Sequence, residues 1–283
     1  MYFIQETDKP NKLFKFFNII KLQDDKIILP INNEIKDKKK SEKIAIKIKN
    51  ILKKANCNKI VVSKKISKEE QIMNYLYTYN LNIVDGRWLY EVISDKVLDY
   101  VINKKDLRKE EIQLSILVND LSDIMLDKIK VLADQYKKIN IVTNHIEKFK
   151  RIEEKLLNEN GVVITVTNNK RKSLIKSKII LNVDFPNELI NKYRICEDAI
   201  IVNIKHEVKI KNKRFNGICV NDYEIEFNEN ADIEYDYNKL DKYKNSHIYE
   251  AQIYKKQPIN NILIKINRDK VKITKLIANN ITF

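Results

Sequence analysis

From residue 113 to residue 204 the chain alternates apolar runs of strand length with segments of helical period, and few folds accept that order. The runs are Leu114-Ser115-Ile116-Leu117-Val118, Ile139-Asn140-Ile141-Val142-Thr143, and residues 162–166, 179–183 and 199–204. Between the first three lie segments at 123–136 and 146–158 with apolar residues at helical spacing. Strands separated by helices long enough to cross over pair in parallel, and runs apolar on both faces belong in a covered sheet. The predicted class is α/β.

The same alternation begins further upstream. Phe14-Lys15-Phe16-Phe17-Asn18-Ile19-Ile20 and Lys26-Ile27-Ile28-Leu29-Pro30-Ile31 read as two strands flanking the turn-like Gln23-Asp24-Asp25. Residues 32–40, with Lys38-Lys39-Lys40, read as an exposed charged connection. Ser41 is the expected N-cap of a helix carrying Ile44, Ile48, Ile51 and Leu52, and Ser67 that of a helix carrying Ile72, Tyr75, Leu76 and Tyr79. Residues 59–63 and 81–84 supply strands, and one long amphipathic helix follows from Trp88 to Ile102. The charged stretch 103–111 is then the expected boundary, which divides the chain into domains 1–108 and 109–205 and a segment 206–283 that packs back on the body. In that segment Val208-Lys209-Ile210 and Ile218-Cys219-Val220 read as a hairpin around Phe215-Asn216-Gly217, with 223–227 extending it. Residues 249–254 read as helix, while 262–266 and 271–277 fit either period.

Composition narrows the function classes. No window reaches the roughly 18 apolar residues of a membrane span, and the amino terminus lacks a signal-peptide pattern, so a cytoplasmic protein without membrane contact is expected. Cys57, Cys196 and Cys219 are odd in number and far apart, and His145, His206 and His247 have no ligand spacing; no disulfide framework or metal site is expected. The net charge of +15 favours polyanions, which keeps a nucleic-acid partner open. Only seven of the 54 basic residues are arginines, however, and the dominance of Lys, Asn and Ile matches AT-rich codons.

The element order, with Ile139-Asn140-Ile141-Val142-Thr143-Asn144 placed as a second strand and Lys178-Ile179-Ile180-Leu181-Asn182-Val183-Asp184 as a fourth, resembles the Rossmann-type dinucleotide domain of amino-acid and shikimate dehydrogenases. The resemblance covers about a third of the chain. It implies two α/β domains, the second a Rossmann-like parallel sheet with helices on both faces, followed here by a C-terminal β-hairpin and helix segment. It also implies an NAD(P) cofactor. In that family a glycine-rich loop after the first strand brings backbone amides to the pyrophosphate. This chain reads Leu117-Val118-Asn119-Asp120-Leu121-Ser122-Asp123 there, with no glycine. Asp120 and Asp123 would set like charges against the phosphates, and Asn144-His145 replaces the acidic residue expected on the ribose.

Ligands of open parallel sheets bind outside the carboxyl ends of the strands. The residues there are Asp85, Asn119, Asp120, Ser122, Thr143, Asn144, Thr167, Asn168, Asn169, Asn182, Asp184 and Asn203; as small polar residues they also suit helix caps and turns. Arg87, beside Trp88 after the turn Asp85-Gly86, could offer a guanidinium to a small anionic ligand or simply begin a helix. Lys170 and Arg171, in the densest basic cluster, are phosphate contacts or a solvated loop. Three functions stay open: a divergent dehydrogenase-like protein acting in binding or regulation, an NAD(P)-dependent oxidoreductase in which Lys170 or Arg171 replaces the glycine loop, and a nucleic-acid-binding protein. Oligomeric state is not legible.

Overall fold

The computed structural model describes residues 1–7, 19–31, 37–161, 163–228, 231, 241–254, 258–278 and 281–282. The expected strand at 14–20, the connection at 32–40 and the tyrosine-rich stretch 232–244 therefore fall partly outside the described residues. Contacts divide the chain into two units, Met1–Gly86 with Ala231–Lys256, and Arg87–Asn230 with Gln257–Phe283. The first division thus falls at Gly86, ahead of the charged stretch 103–111, and part of the C-terminal segment belongs to each unit.

In the first unit Tyr2–Glu6 (β1) lies between two parallel partners, Lys26–Leu29 (β3) and Lys59–Val62 (β4). Lys21–Gln23 (β2) turns back antiparallel on β3 through Asp24 and Asp25, and Asn82–Val84 (β5) extends the sheet parallel to β4. The order is β2-β3-β1-β4-β5. Alternation along β1 builds two cores: Ile4 packs with Ile60 and Val62, and Phe3 with Val61 and Val84. Lys38–Lys54 (α1) and Glu70–Thr78 (α2) place Ile44, Ile48, Leu52, Ile72 and Leu76 in the first core. The helix Asn245–Ile253 places Ile248 and Ala251 in the second.

Helix α1 starts earlier than its apolar period suggests. The Asp37 carboxylate accepts from the amides of Lys39 at 2.9 Å and Lys40 at 3.4 Å, so Lys38-Lys39-Lys40 forms the first helical turn and not a loop. A carboxylate cap at the positive end of the helix offsets the poor placement of three lysines there. Ser41, the expected cap, is buried one turn inside the helix. Ser67 lies in a short 3-10 turn, Ile66–Lys68, ahead of α2.

The second unit opens with Arg87–Val92 (α3) and Ser94–Lys104 (α4), which split the expected long helix at Ile93. Gln113–Leu117 (β6), Asp123–Gln135 (α5), Lys138–Val142 (β7), Ile146–Asn160 (α6) and Ile164–Thr167 (β8) follow in alternation. Ile179–Asn182 (β9), the single turn Asn187–Ile190 (α7), Ile200–Asn203 (β10) and Ile218–Glu226 (β11) continue it. After Asn245–Ile253 (α8), in the first unit, the chain returns through Ile259–Arg268 (α9), Lys272–Ala278 (β12) and Ile281–Thr282 (β13).

The sheet runs β13-β12-β11-β10-β9-β6-β7-β8. From β8 to β11 every pair is parallel, which is the 3-2-1-4-5-6 order of the dinucleotide-binding sheet. β9 and β10 are buried along their whole length, as a sheet covered on both faces requires. Antiparallel β12 and β13 close the other side as the C-terminal hairpin.

The hairpin expected between 208–210 and 218–220 does not form. β11 pairs with β10 and β12 instead, and residues 208–210 have no strand partner. The amide of Val208 donates to Asn221 Oδ1 at 2.9 Å and its carbonyl accepts from Asn221 Nδ2 at 3.1 Å, so one side chain supplies the bonds that a strand would have made. The two ambiguous segments resolve by packing: Ile262 and Ile266, four apart, are the buried face of α9, whereas β12 is an alternating strand.

Tyr90, Tyr136 and Tyr243 are buried, and burial pushes each phenol above its ordinary value of 10.0. A group whose pKa is raised by folding stabilises the native state below its unfolded pKa and loses that contribution as pH rises past it. Stability is therefore expected to hold up to about pH 10 and to fall above it. Phenolate absorbance and circular dichroism followed together in an alkaline titration check this; three tyrosines should ionise only as structure is lost.

Candidate functional site

The carboxyl ends of β6, β7, β9 and β10, with Asn221 of β11 level with the end of β10, form a polar rim in the second unit, and its side chains bond chiefly within the unit. The first loop, between β6 and α5, decides what the rim can hold. In a dinucleotide-binding domain its amides would face the pyrophosphate. Here they face Asp184, which follows β9: Asn119 N donates to Asp184 Oδ1 at 2.8 Å and to Oδ2 at 3.1 Å, and Asp120 N donates to Oδ2 at 2.6 Å. The chain's own carboxylate thus occupies the donors that a phosphate would use. Sheet order explains the encounter, because β6 and β9 are neighbours and their carboxyl ends lie side by side.

A second carboxylate serves the same helix terminus. Ser122 caps α5 by accepting from Met125 N at 3.0 Å, and its hydroxyl donates to Glu91, a buried residue of α3. Negative charge near a helix amino terminus is favourable, and both charges come from within the unit. Asp120 points its own carboxylate to solvent, 3.5 Å from Lys148 Nζ.

The remaining rim residues close the edge strand by strand. Asn119 Oδ1 accepts from Asn144 N at 2.9 Å and from Thr143 Oγ1 at 3.5 Å, joining β6 to β7. Thr143 and Thr167 each accept from the amide two residues on, His145 N at 3.0 Å and Asn169 N at 3.1 Å. Across β9, β10 and β11 runs a ladder of side-chain amides, buried at Asn182 and Asn203 and half-buried at Asn221. Asn182 Nδ2 donates to Asn203 Oδ1 at 2.9 Å and to the carbonyl of Phe185 at 3.0 Å, and Asn203 Nδ2 donates to Asn221 Oδ1 at 2.9 Å and to the carbonyl of Val220 at 3.2 Å.

Arg87 completes the edge. A register shift between Val220 and Asp222 leaves the Asn221 carbonyl outside the β11–β12 ladder. Arg87 Nη1 donates to that carbonyl at 2.8 Å, to that of Ile204 at 3.0 Å and to that of Asn203 at 3.4 Å, while Nη2 lies 3.7 Å from Glu207. The guanidinium ties β10 to β11 and is turned to the protein. Trp88, beside it, is half-buried.

Of the residues that the sequence marks, Asn119, Asp120, Ser122, Thr143, Asn144, Asn182 and Asp184 meet along this edge. Asp85 lies in the first unit, exposed after β5. Asn168, Lys170 and Arg171 are exposed beyond β8, in a turn where Asn169 Oδ1 accepts from the amides of Arg171 at 3.0 Å and Lys172 at 3.1 Å. β8 is two strands from β6, so Lys170 and Arg171 do not stand at the first loop. Asn203, which the sequence marks as a strand end, joins the edge residues through its amide, whereas sequence reasoning leaves out Glu91 and Asn221; Asn at the ends of β9 and β10 was the available signal. Among the described residues no group of acidic, His and Cys side chains could hold a metal ion, and no helix is long and apolar enough to cross a membrane.

No protein-family model matches the chain, and no curated protein matches it. Solved structures that align with it include ornithine carbamoyltransferase from Pyrococcus furiosus, 9% identical over 75% of this chain and 73% of that one, with a TM-score of 0.28. Shikimate 5-dehydrogenase from Listeria monocytogenes, solved with shikimate and NAD, is 12% identical over 71% of this chain and 77% of that one, with a TM-score of 0.27. Likeness at that level assigns no activity. The α/β class and the strand order stand on the pairing described above.

Proposed function

We propose that this protein has a dehydrogenase-like sheet whose dinucleotide site is filled by its own Asp184, and that it acts in binding or regulation without a nicotinamide cofactor. The observation behind this reading is the Asp184 carboxylate on the amides of Asn119 and Asp120. A pyrophosphate would have to displace a tethered anion and then lie beside it, and like charges at a few ångströms repel by about 1–4 kcal/mol at a partly solvated surface. The inward bonding of Asn119, Asn182 and Arg87 supports the same reading, since each commits polar atoms to the protein itself.

Thermal-shift titration with NAD, NADH, NADP and NADPH tests it, because a ligand that binds only the native state raises stability by mass action. No saturable shift is expected with any of the four. A saturable shift, or turnover with any of them, would overturn the proposal.

Removing the internal anion has its own expected result. Asp184→Ala leaves amides without their charged acceptor, and bonds to charged groups contribute about 1.5–3 kcal/mol. Chemical denaturation should show a loss of that order, part of which pyrophosphate restores saturably at constant ionic strength, beyond any stabilisation it gives the wild-type chain. An unchanged midpoint would show that Asp184 does not hold the loop.

A further inference from the structure

At the opposite end of the same sheet lies a cavity that nothing in the reading above uses. It measures about 890 Å³ and is lined by Arg194, Arg214, Cys196, Glu197, Asp198 and neighbouring residues. That volume lies within the range of small-molecule sites. A second cavity of about 520 Å³, reached by Arg108, shares Asp198 and Asn216 with the first. These residues precede β9, β10 and β11, so both cavities sit at amino-terminal strand ends.

Its lining departs from the composition of the chain. Lysine accounts for most of the 54 basic residues, yet none of the nine residues lining the larger cavity is a lysine, and two are arginines. A general lysine excess therefore does not account for the charge there. Guanidinium is the side chain that grips an oxyanion through two parallel bonds.

The acidic residues do not cancel that charge. Asp198 is engaged: the Cys196 thiol donates to Asp198 Oδ1 at 3.0 Å, and Lys178 Nζ donates to Oδ2. The hydrogen bond from Cys196, then the one from Lys178, holds the Asp198 carboxyl below its ordinary range. Glu197 alone remains against Arg194 and Arg214.

The walls are fixed by backbone. Arg194 N donates to the carbonyl of Lys170 at 2.9 Å, and Leu174 bridges Ile195. Arg214 N donates to Asn212 Oδ1 at 3.0 Å, and Asn216 N donates to the carbonyl of Glu197 at 2.9 Å. Two separate segments, 194–198 and 212–217, thus carry one arginine each into a common space.

We propose that this cavity binds a small oxyanion-bearing molecule, a phosphate ester or a carboxylate, with Arg194 and Arg214 holding the anion and Asn212, Asn216, Ile175 and Ile195 meeting the rest. The site is independent of the Asp184 edge and stands whether or not that edge is filled.

Thermal-shift titrations of the full chain with pyrophosphate and with succinate, each at ionic strength held constant with chloride, test the proposal. A saturable stabilisation by at least one probe is expected, and which one succeeds identifies the anion. It should weaken at least tenfold in Arg194→Gln/Arg214→Gln and persist in Asp184→Asn. The same probe should slow alkylation of Cys196 by iodoacetamide, read by peptide mass, while alkylation of Cys57 is unaffected. If the double variant is unstable, Cys196 protection in the wild-type chain decides alone. No saturable shift with either probe, binding unchanged in a folded double variant, or no protection of Cys196 would overturn it.

Discussion

Replacing Asn203 by alanine is expected to destabilise the second unit by about 3–5 kcal/mol, more than any other change at the rim. Asn203 is fully buried in register with Asn182, and its amide bonds outward in both directions along the sheet. Its oxygen accepts from Asn182, and its nitrogen donates to Asn221 and to the Val220 carbonyl. Truncation would leave a donor and two acceptors without that partner in a region closed to water. Asn182 Nδ2 keeps the Phe185 carbonyl and Asn221 Oδ1 keeps the Val208 amide, so each of the three lost bonds costs about 0.5–1.5 kcal/mol, and the cavity adds to the sum. Asn221 would also lose an anchor while it holds both backbone groups of Val208. Urea unfolding with a probe in the second unit measures the loss. Asn203→Asp provides the contrast, since it keeps the shape and the acceptor but turns the donor into a second acceptor facing Asn221 Oδ1. A loss under 1 kcal/mol for the alanine variant would show that the ladder is ornamental.

The case of Asn203 shows what the sequence can and cannot carry. Apolar runs at β6, β7, β9 and β10 were legible because a covered parallel sheet demands them, and the polar residue ending each run marked the rim. The direction in which those residues bond was not legible, since an asparagine at a strand end looks the same whether it awaits a ligand or joins its neighbour. Asp184 is the clearest instance: it lies 64 and 65 positions from the amides it occupies, and only the adjacency of β6 and β9 brings them together. The missing glycines were a weaker signal than they looked. This chain puts Asp24, Asn56, Asn80 and Asp106 at positive φ, between 47° and 56°, where glycine is the usual choice. Scarcity of glycine in the first loop is thus partly a habit of the whole chain, and the internal anion is the stronger argument. Strand β1 and the Asp37 cap are not legible in the sequence because each sits beside residues of opposite character, the polar stretch after Glu6 and the lysine run at 38–40.

Gly217→Ala is expected to have a comparable effect at the other end of the sheet, by at least about 3 kcal/mol, for steric reasons alone. A Cβ built on Gly217 would lie 2.1 Å from the carbonyl oxygen of Ala199 and 2.8 Å from the ring of Phe215. The first contact is with backbone, which cannot rotate away. That carbonyl accepts from Ile218 N at 3.0 Å, the bond that starts the pairing of β11 with β10, so relief of the clash must open the pairing or shift β11. Cys219 and Val220 follow directly and are fully buried, which limits any shift. Because Asn216 and Gly217 also border the cavities at this end, comparison with a substitution at Arg214 separates two roles of the loop. Arg214→Gln should leave the unfolding midpoint within about 0.5 kcal/mol and weaken only anion binding, as expected of an exposed side chain. Gly217→Ala should lower the midpoint and weaken binding together, because it moves the segment that carries Arg214. Equal stability of Gly217→Ala and wild type would mean that β11 does not approach β10 as closely as the 2.1 Å contact requires.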